Sequence, residues 1–99
     1  MDEMEKMKEM PPFITKNDDG KYIVTSNGKE YIMEEQSGAV MEKCQRLADK
    51  TNTNMETLLA VKSLVEPKLT DSEFMDLPGS TFTKIRLAVV YIYGLNDFL

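Results

Sequence analysis

The pair Asn27-Gly28 lies between two alternating apolar segments and constrains the fold more than any other feature of the sequence. A type I′ turn needs positive φ at both central residues, and Asn-Gly meets that need well. We therefore predict a two-residue hairpin with strands at about 21–26 and 29–34. The register that follows pairs Ser26 with Lys29, Val24 with Tyr31, and Tyr22 with Met33.

An isolated hairpin is marginally stable in water, so its apolar face must pack on other elements. The rest of the chain shows helical periodicity, which supplies such elements. Its 99 residues are enough for one domain. The predicted fold is α+β, mostly α, with an N-terminal β-hairpin packed on a small bundle of about four helices. The helices are predicted at about 37–50, 54–65, 71–77 and 80–94.

The first eighteen residues are predicted to form a flexible N-terminal tail before a single α+β domain over residues 19–99. The tail is highly charged and contains two adjacent prolines, at positions 11 and 12. Its methionines recur every third residue, a spacing that would line one face of a short helix. A helix this short is marginal in water, so we favour the tail. The methionines are Met1, Met4, Met7 and Met10.

The second helix carries a start signal and a stop signal in the sequence. Thr53 and Glu56 match the Ser/Thr-x-x-Glu capping box, which predicts Thr53 as the N-cap. Pro67 disfavours helical geometry at the residue before it, so the helix should end near Val65.

A short helix between two prolines follows, and its ends are closely specified. Thr70 and Glu73 form a second capping box, and Leu69 and Phe74 have the spacing of a hydrophobic staple. Pro78 ends the helix. We interpret these five residues as a structural connector that orients the last helix.

The last helix is apolar nearly all round, which indicates burial on several sides or a face given to a partner. One stripe, with Phe82, Ile85, Val89 and Ile92, is predicted to face the core. The other apolar residues at this end of the chain are candidates for binding a partner protein, although Tyr91 and Tyr93 fit a core position equally well. The candidates are Leu87, Val90, Tyr91, Tyr93 and Leu95.

The composition offers little for catalysis. The chain has no histidine and one cysteine, Cys44, which falls on the apolar face of the first helix. Zinc sites and most nucleophilic or acid–base mechanisms use histidine or several cysteines, so Cys44 is predicted to be a small core residue. The carboxylates lack the spacing of a calcium loop. We expect no enzymatic activity, no catalytic residue, no metal and no cofactor.

The net charge of −5 argues against binding to nucleic acid or to an anionic membrane surface. No segment approaches the roughly 18 apolar residues of a membrane span. The N-terminus is acidic and has no apolar core, so it does not read as a signal peptide. We expect a cytoplasmic protein.

The order of these features resembles the tail assembly chaperones of long-tailed bacteriophages and prophages. In that family a segment beginning "VEPKL" and ending "LP" lies between helices, after a small hairpin. The resemblance covers roughly residues 21–98. The matching residues are Val65, Glu66, Pro67, Lys68, Leu69, Asp71, Phe74, Leu77 and Pro78.

The resemblance implies a non-enzymatic role in virion assembly. Members of the family bind the long helical tape measure protein, keep it soluble, and help tail-tube subunits polymerise around it. The expected partners are therefore the tape measure protein and tail-tube subunits, with weak self-association. The expected location is the host cell cytoplasm, and the protein would be absent from the mature virion.

Two other classes of protein remain open on the sequence. One is a different phage structural module, such as a head–tail connector, for which assembly into a ring without a partner would be diagnostic. The other is an acidic inhibitor of a nucleic-acid-binding protein, for which salt-sensitive capture of a basic partner would be diagnostic.

Overall fold

A four-stranded antiparallel sheet carries four helices over residues 10–95, the part of the chain that this computed structural model describes. The predicted α+β class is confirmed, and about half of the chain is helical. The elements are β1 (Ile14–Lys16), β2 (Tyr22–Ser26), β3 (Lys29–Met33), α1 (Gly38–Thr51), α2 (Met55–Ser63), β4 (Leu64–Glu66), α3 (Asp71–Met75) and α4 (Gly79–Ile92).

The β2–β3 hairpin has the predicted register and turn. Asn27 and Gly28 have φ angles of 53° and 77°, the left-handed values that a type I′ turn requires. Val24 is paired with Tyr31, as predicted, and both side chains are buried. Because side chains alternate along a strand, this register places the core-facing residues of both strands on one face of the sheet.

The first strand lies where a flexible tail was predicted. Ile14 is paired with Val24 of β2 and is only 3% exposed. The tail predicted for residues 1–18 is therefore wrong over 14–16, where the chain forms an edge strand. A three-residue strand is too short for a periodic pattern. Of the methionines in this segment, Met10 is exposed, and the other three lie outside the described residues.

The fourth strand lies where the end of a helix was predicted. α2 ends at Ser63, and Leu64 to Glu66 pair with β3 instead of continuing the helix. Leu64 is paired with Met33 and is 1% exposed, so burial on the sheet outweighs its helical propensity. The prediction of a helix to Val65 is therefore wrong for its last two residues.

The N-cap of α2 also differs from the predicted one. The Asn54 side-chain oxygen accepts hydrogen bonds from the backbone N–H groups of Glu56 and Thr57, at 2.9 and 3.3 Å. The Thr53 hydroxyl lies 2.7 Å from the Thr51 hydroxyl. Asparagine is among the preferred N-cap residues, and here it takes the position beside the predicted threonine.

The predicted capping box of α3 is confirmed. The Thr70 hydroxyl accepts a bond from the Glu73 N–H at 3.2 Å, and the Glu73 carboxylate accepts one from the Thr70 N–H at 2.9 Å. The helix ends at Met75, two residues before the predicted end at Leu77. Pro78 follows as the N-cap residue of α4, so the predicted boundary at this proline holds.

Phe74 is the apolar anchor of this connector. It is fully buried, and its ring lies 5.0 Å from the ring of Phe82 in the first turns of α4. Leu69 is half-buried and packs against the same core. The short helix thus attaches the start of α4 to the core.

The core lies between the sheet and the helices, with α4 packed against both α2 and β2. A buried polar pair lies at one end of α4, where the hydroxyls of Ser26 and Thr81 are 2.8 Å apart. One hydroxyl donates to the other, so neither side chain is buried without a partner. The largest fully buried apolar side chains are Phe74, Met33, Leu59, Leu64, Ile85, Val24 and Val89.

Replacing Phe74 by alanine should destabilise the fold by about 3 kcal/mol or more, because it opens a cavity beneath α3 and α4. Met75→Ala is the matched control, since Met75 is the next residue of the same helix and 59% exposed. The control should change the free energy of unfolding by less than about 0.5 kcal/mol. Urea denaturation of the purified variants measures both, and equal midpoints would contradict the anchor.

The stability contributed by Glu73 should depend on pH. Hydrogen bonds from the Thr70 N–H, and next from the Thr70 side chain, lower the pKa of the Glu73 carboxyl below its ordinary value of 4.5. A carboxyl whose pKa is lower in the folded state stabilises the fold above its unfolded pKa. That contribution is lost as the pH falls through the folded pKa.

Glu73→Gln is the matched variant, because glutamine also fits the capping box but does not titrate. The wild type should be more stable than Glu73→Gln at pH 7, and the difference should shrink as the pH falls below 4.5. Denaturation curves across this range measure the difference. A difference that stays constant with pH would show that the carboxylate form has no advantage in the folded state.

Candidate protein-binding surface

A shallow groove lies on the exposed face of α4 and contains two of the predicted binding residues. Leu87 and Val90 line it together with Thr83, Arg86 and, from α2, Glu56. We call this the α4 groove. Leu87 is 47% exposed, although leucine is usually buried. A single exposed leucine is common on protein surfaces, so the groove is a candidate because it also contains Val90, a second predicted binding residue.

The helical repeat explains why these residues share a face. Positions 83, 86, 87 and 90 are spaced at i, i+3, i+4 and i+7, which places them on one side of α4. The predicted core stripe lies on the other side, where Ile85, Val89 and Ile92 are buried and Phe82 is half-buried. The orientation of α4 therefore leaves Leu87 in contact with solvent.

Arg86 provides the charge at this site. Its Nη2 lies 3.6 Å from the Glu56 carboxylate, and its guanidinium lies over the Phe82 ring at 5.6 Å. The Nε atom is buried and has no hydrogen-bond partner within residues 10–95. Arginine is enriched among residues that contribute most to binding, because it combines charge, hydrogen bonding and stacking.

Tyr91, Tyr93 and Leu95, the other predicted binding residues, are not among those that line this groove. All three are half-buried and pack against the core. The Tyr91 ring meets the Tyr22 ring edge-on at 6.3 Å. These side chains contribute to the packing of α4, whereas Leu87 and Val90 line the groove.

The Tyr93 hydroxyl links three parts of the chain. It accepts a hydrogen bond from the Gln36 N–H at 2.7 Å and lies 2.7 Å from the Ser63 hydroxyl. Ser63 is fully buried at the end of α2, and Gln36 precedes α1. The hydroxyl therefore links the end of α4 to the end of α2 and to the loop before α1.

Three residues that line the α4 groove were not predicted from the sequence: Glu56, Thr83 and Arg86. Arg86 carries a sequence signal, because it is the only charged residue between Ile85 and Tyr93. Glu56 carries none, since only the packing of α2 beside α4 brings its carboxylate to the groove.

Cys44 lies in the core, as predicted, with 4% of its surface exposed. Burial raises the pKa of its thiol above the ordinary value, and the nearby Lys62 ammonium lowers it by less. The thiol is therefore protonated at neutral pH, whereas a reactive cysteine needs the thiolate.

Comparisons with known proteins give no further indication of function. No family model matches the chain, and no match was found among curated proteins or solved structures. Across residues 10–95, no helix has the length and apolar character needed to cross a membrane. The same residues contain no group of three or more His, Cys, Asp or Glu side chains placed to hold a metal ion.

Tyr93→Phe should destabilise the fold by roughly 1–3 kcal/mol, because it leaves the buried Ser63 hydroxyl and the Gln36 N–H without this partner. Tyr91→Phe is the matched control. It removes a hydroxyl from the same helix end, and that hydroxyl makes no hydrogen bond within residues 10–95. Thermal and urea unfolding measure both variants. Equal losses would show that the hydroxyl link does not stabilise the fold.

Proposed function

We propose that this protein is a non-enzymatic tail assembly chaperone of a long-tailed phage or prophage. In this role it binds a helical segment of the tape measure protein and assists assembly of the tail tube. The observation that carries the proposal is the exposed Leu87, set beside Val90 and Arg86 in the α4 groove. The sequence resemblance supports the identity of the partner.

The chemistry of the α4 groove suits an amphipathic helix. Such helices insert apolar residues spaced at i, i+3 or i+4 into grooves of this kind. Leu87 and Val90 supply apolar contact, and the Arg86–Glu56 pair supplies polar contact at the edge. The groove is shallow and has one strongly exposed leucine, which favours a weak complex. A chaperone that releases its client during assembly needs a complex of this kind.

The charge of the chain fits the same role. A net charge of −5 favours solubility of the protein and of a complex that it forms with a long helical client.

The test is co-expression of the chain with the tape measure protein encoded in the same genome. Leu87→Ser with Val90→Ser should lower the pull-down yield by about tenfold or more, since burying one leucine contributes roughly 1.5–3 kcal/mol. The thermal midpoint should be kept, because neither side chain is fully buried. Met75→Ser is the matched control, as Met75 is exposed and lies outside the α4 groove.

Three outcomes would contradict the proposal at different levels. A folded double variant that holds the tape measure protein as well as the wild type would show that the binding surface is elsewhere. A wild-type chain that does not bind the tape measure protein would show that the chaperone function is wrong. A stable ring formed by the purified chain alone would favour a head–tail connector.

A further inference from the structure

A second groove lies between α1 and α2, away from the α4 groove. Its floor is apolar and includes Val40, Leu47 and Leu58, with the buried Cys44 beneath. Its volume is about 530 Å³. Leu47 is 47% exposed, which equals the exposure of Leu87 in the α4 groove. We call this the α1–α2 groove.

The helical repeat places a lysine directly beside the exposed leucine. Positions 40, 43, 44 and 47 of α1 are spaced at i, i+3, i+4 and i+7, so they share one face. That face carries the apolar side chains of Val40 and Leu47, and between them Lys43 and Cys44. From α2, Leu58 and Lys62 are four residues apart and also share a face. Each helix therefore presents an apolar residue and a lysine to the groove.

The charge of the α1–α2 groove is opposite to that of the whole chain. Its lining includes Lys43, Lys62 and Lys68, and Asp71 is the only carboxylate among the lining residues. All three lysines are exposed, so their ammonium groups remain in water at the edge of the apolar floor. A protein with net charge −5 thus has three positive charges around one apolar depression.

The ion pair nearest this edge in the sequence does not involve its lysines. Glu42 of α1 forms an ion pair with Arg46 at 2.6 Å, and both side chains are largely exposed. No ion pair of Lys43, Lys62 or Lys68 is found within residues 10–95. The three ammonium groups therefore remain available to carboxylates of another molecule.

We infer that the α1–α2 groove binds an amphipathic helix of a partner protein whose apolar stripe is flanked by acidic residues. The apolar floor matches the stripe, and the three lysines match the flanking carboxylates. Electrostatic complementarity of this kind sets the choice of partner and the rate of association more than the affinity. The inference does not depend on the proposed function, because it uses a different surface.

The test uses two synthetic helical peptides with the same leucine positions, one with glutamate flanks and one with lysine flanks. Fluorescence polarisation with the full-length chain measures their Kd values. The acidic peptide should bind at least about tenfold more tightly than the basic one, a difference of about 1.4 kcal/mol. The preference should shrink as salt rises from about 0.1 M to 1 M, because the Debye length falls from about 10 Å to 3 Å.

Variants locate the binding to the groove. Lys43→Glu with Lys68→Glu should abolish the preference for the acidic peptide. Leu47→Ser should weaken the binding of both peptides. Lys29→Glu is the control for charge, because Lys29 is exposed in the hairpin and does not line the groove. Met75→Ser should leave peptide binding unchanged, because Met75 is exposed and lines neither groove. Circular dichroism and thermal midpoints confirm that each variant is folded.

Several results would overturn the inference. Equal binding of the two peptides would exclude recognition by charge. If Lys29→Glu reduced the preference for the acidic peptide as much as Lys43→Glu with Lys68→Glu, recognition at this groove would be excluded. Binding that occurs only after deletion of residues 1–9 would mean that the chain's own N-terminal segment is the occupant. A dimer in sedimentation that Lys43→Glu with Lys68→Glu dissociates would mean that a second copy is the occupant.

Discussion

Burial of one face of α4 is the interaction on which the rest of this structure depends. Ile85 and Val89 are fully buried in the core where α4 packs against both the hairpin and α2. Side chains of this size each contribute roughly 1.5–3 kcal/mol when buried, so this single face is a large share of what a small domain can gain. The hairpin, which would be marginal alone, is stable because α4 covers its inner face.

Polar contacts at the two ends of α4 decide how this helix is rotated. The hydroxyls of Ser26 and Thr81 meet near its start, and the Tyr93 hydroxyl binds Gln36 and Ser63 just after its end. Apolar packing alone tolerates small rotations, whereas hydrogen bonds between buried groups are lost if the atoms move apart. Together with the buried stripe of α4, these links hold the Leu87 side of the helix toward solvent.

The two exposed grooves differ in chemistry, and α2 contributes to both. Glu56, in its first turn, completes the α4 groove, while Leu58 and Lys62 line the α1–α2 groove. The α4 groove combines apolar side chains with Arg86 and Glu56, whereas the α1–α2 groove has an apolar floor edged by three lysines.

The sequence by itself determined the features whose causes lie within a few residues of each other. The hairpin register follows from the left-handed conformation that Asn27-Gly28 accepts, and the start of α3 follows from hydrogen bonds between Thr70 and Glu73. Periodicity placed Leu87, Val90 and Tyr91 off the core stripe; Leu87 and Val90 line the α4 groove, whereas Tyr91 packs against the core. Only the tertiary structure decided the short edge strands, because β1 and β4 are defined by hydrogen bonds to strands elsewhere in the chain. Likewise, Glu56 joins the α4 groove, and the α1–α2 groove exists, because packing brings together residues that no local pattern connects.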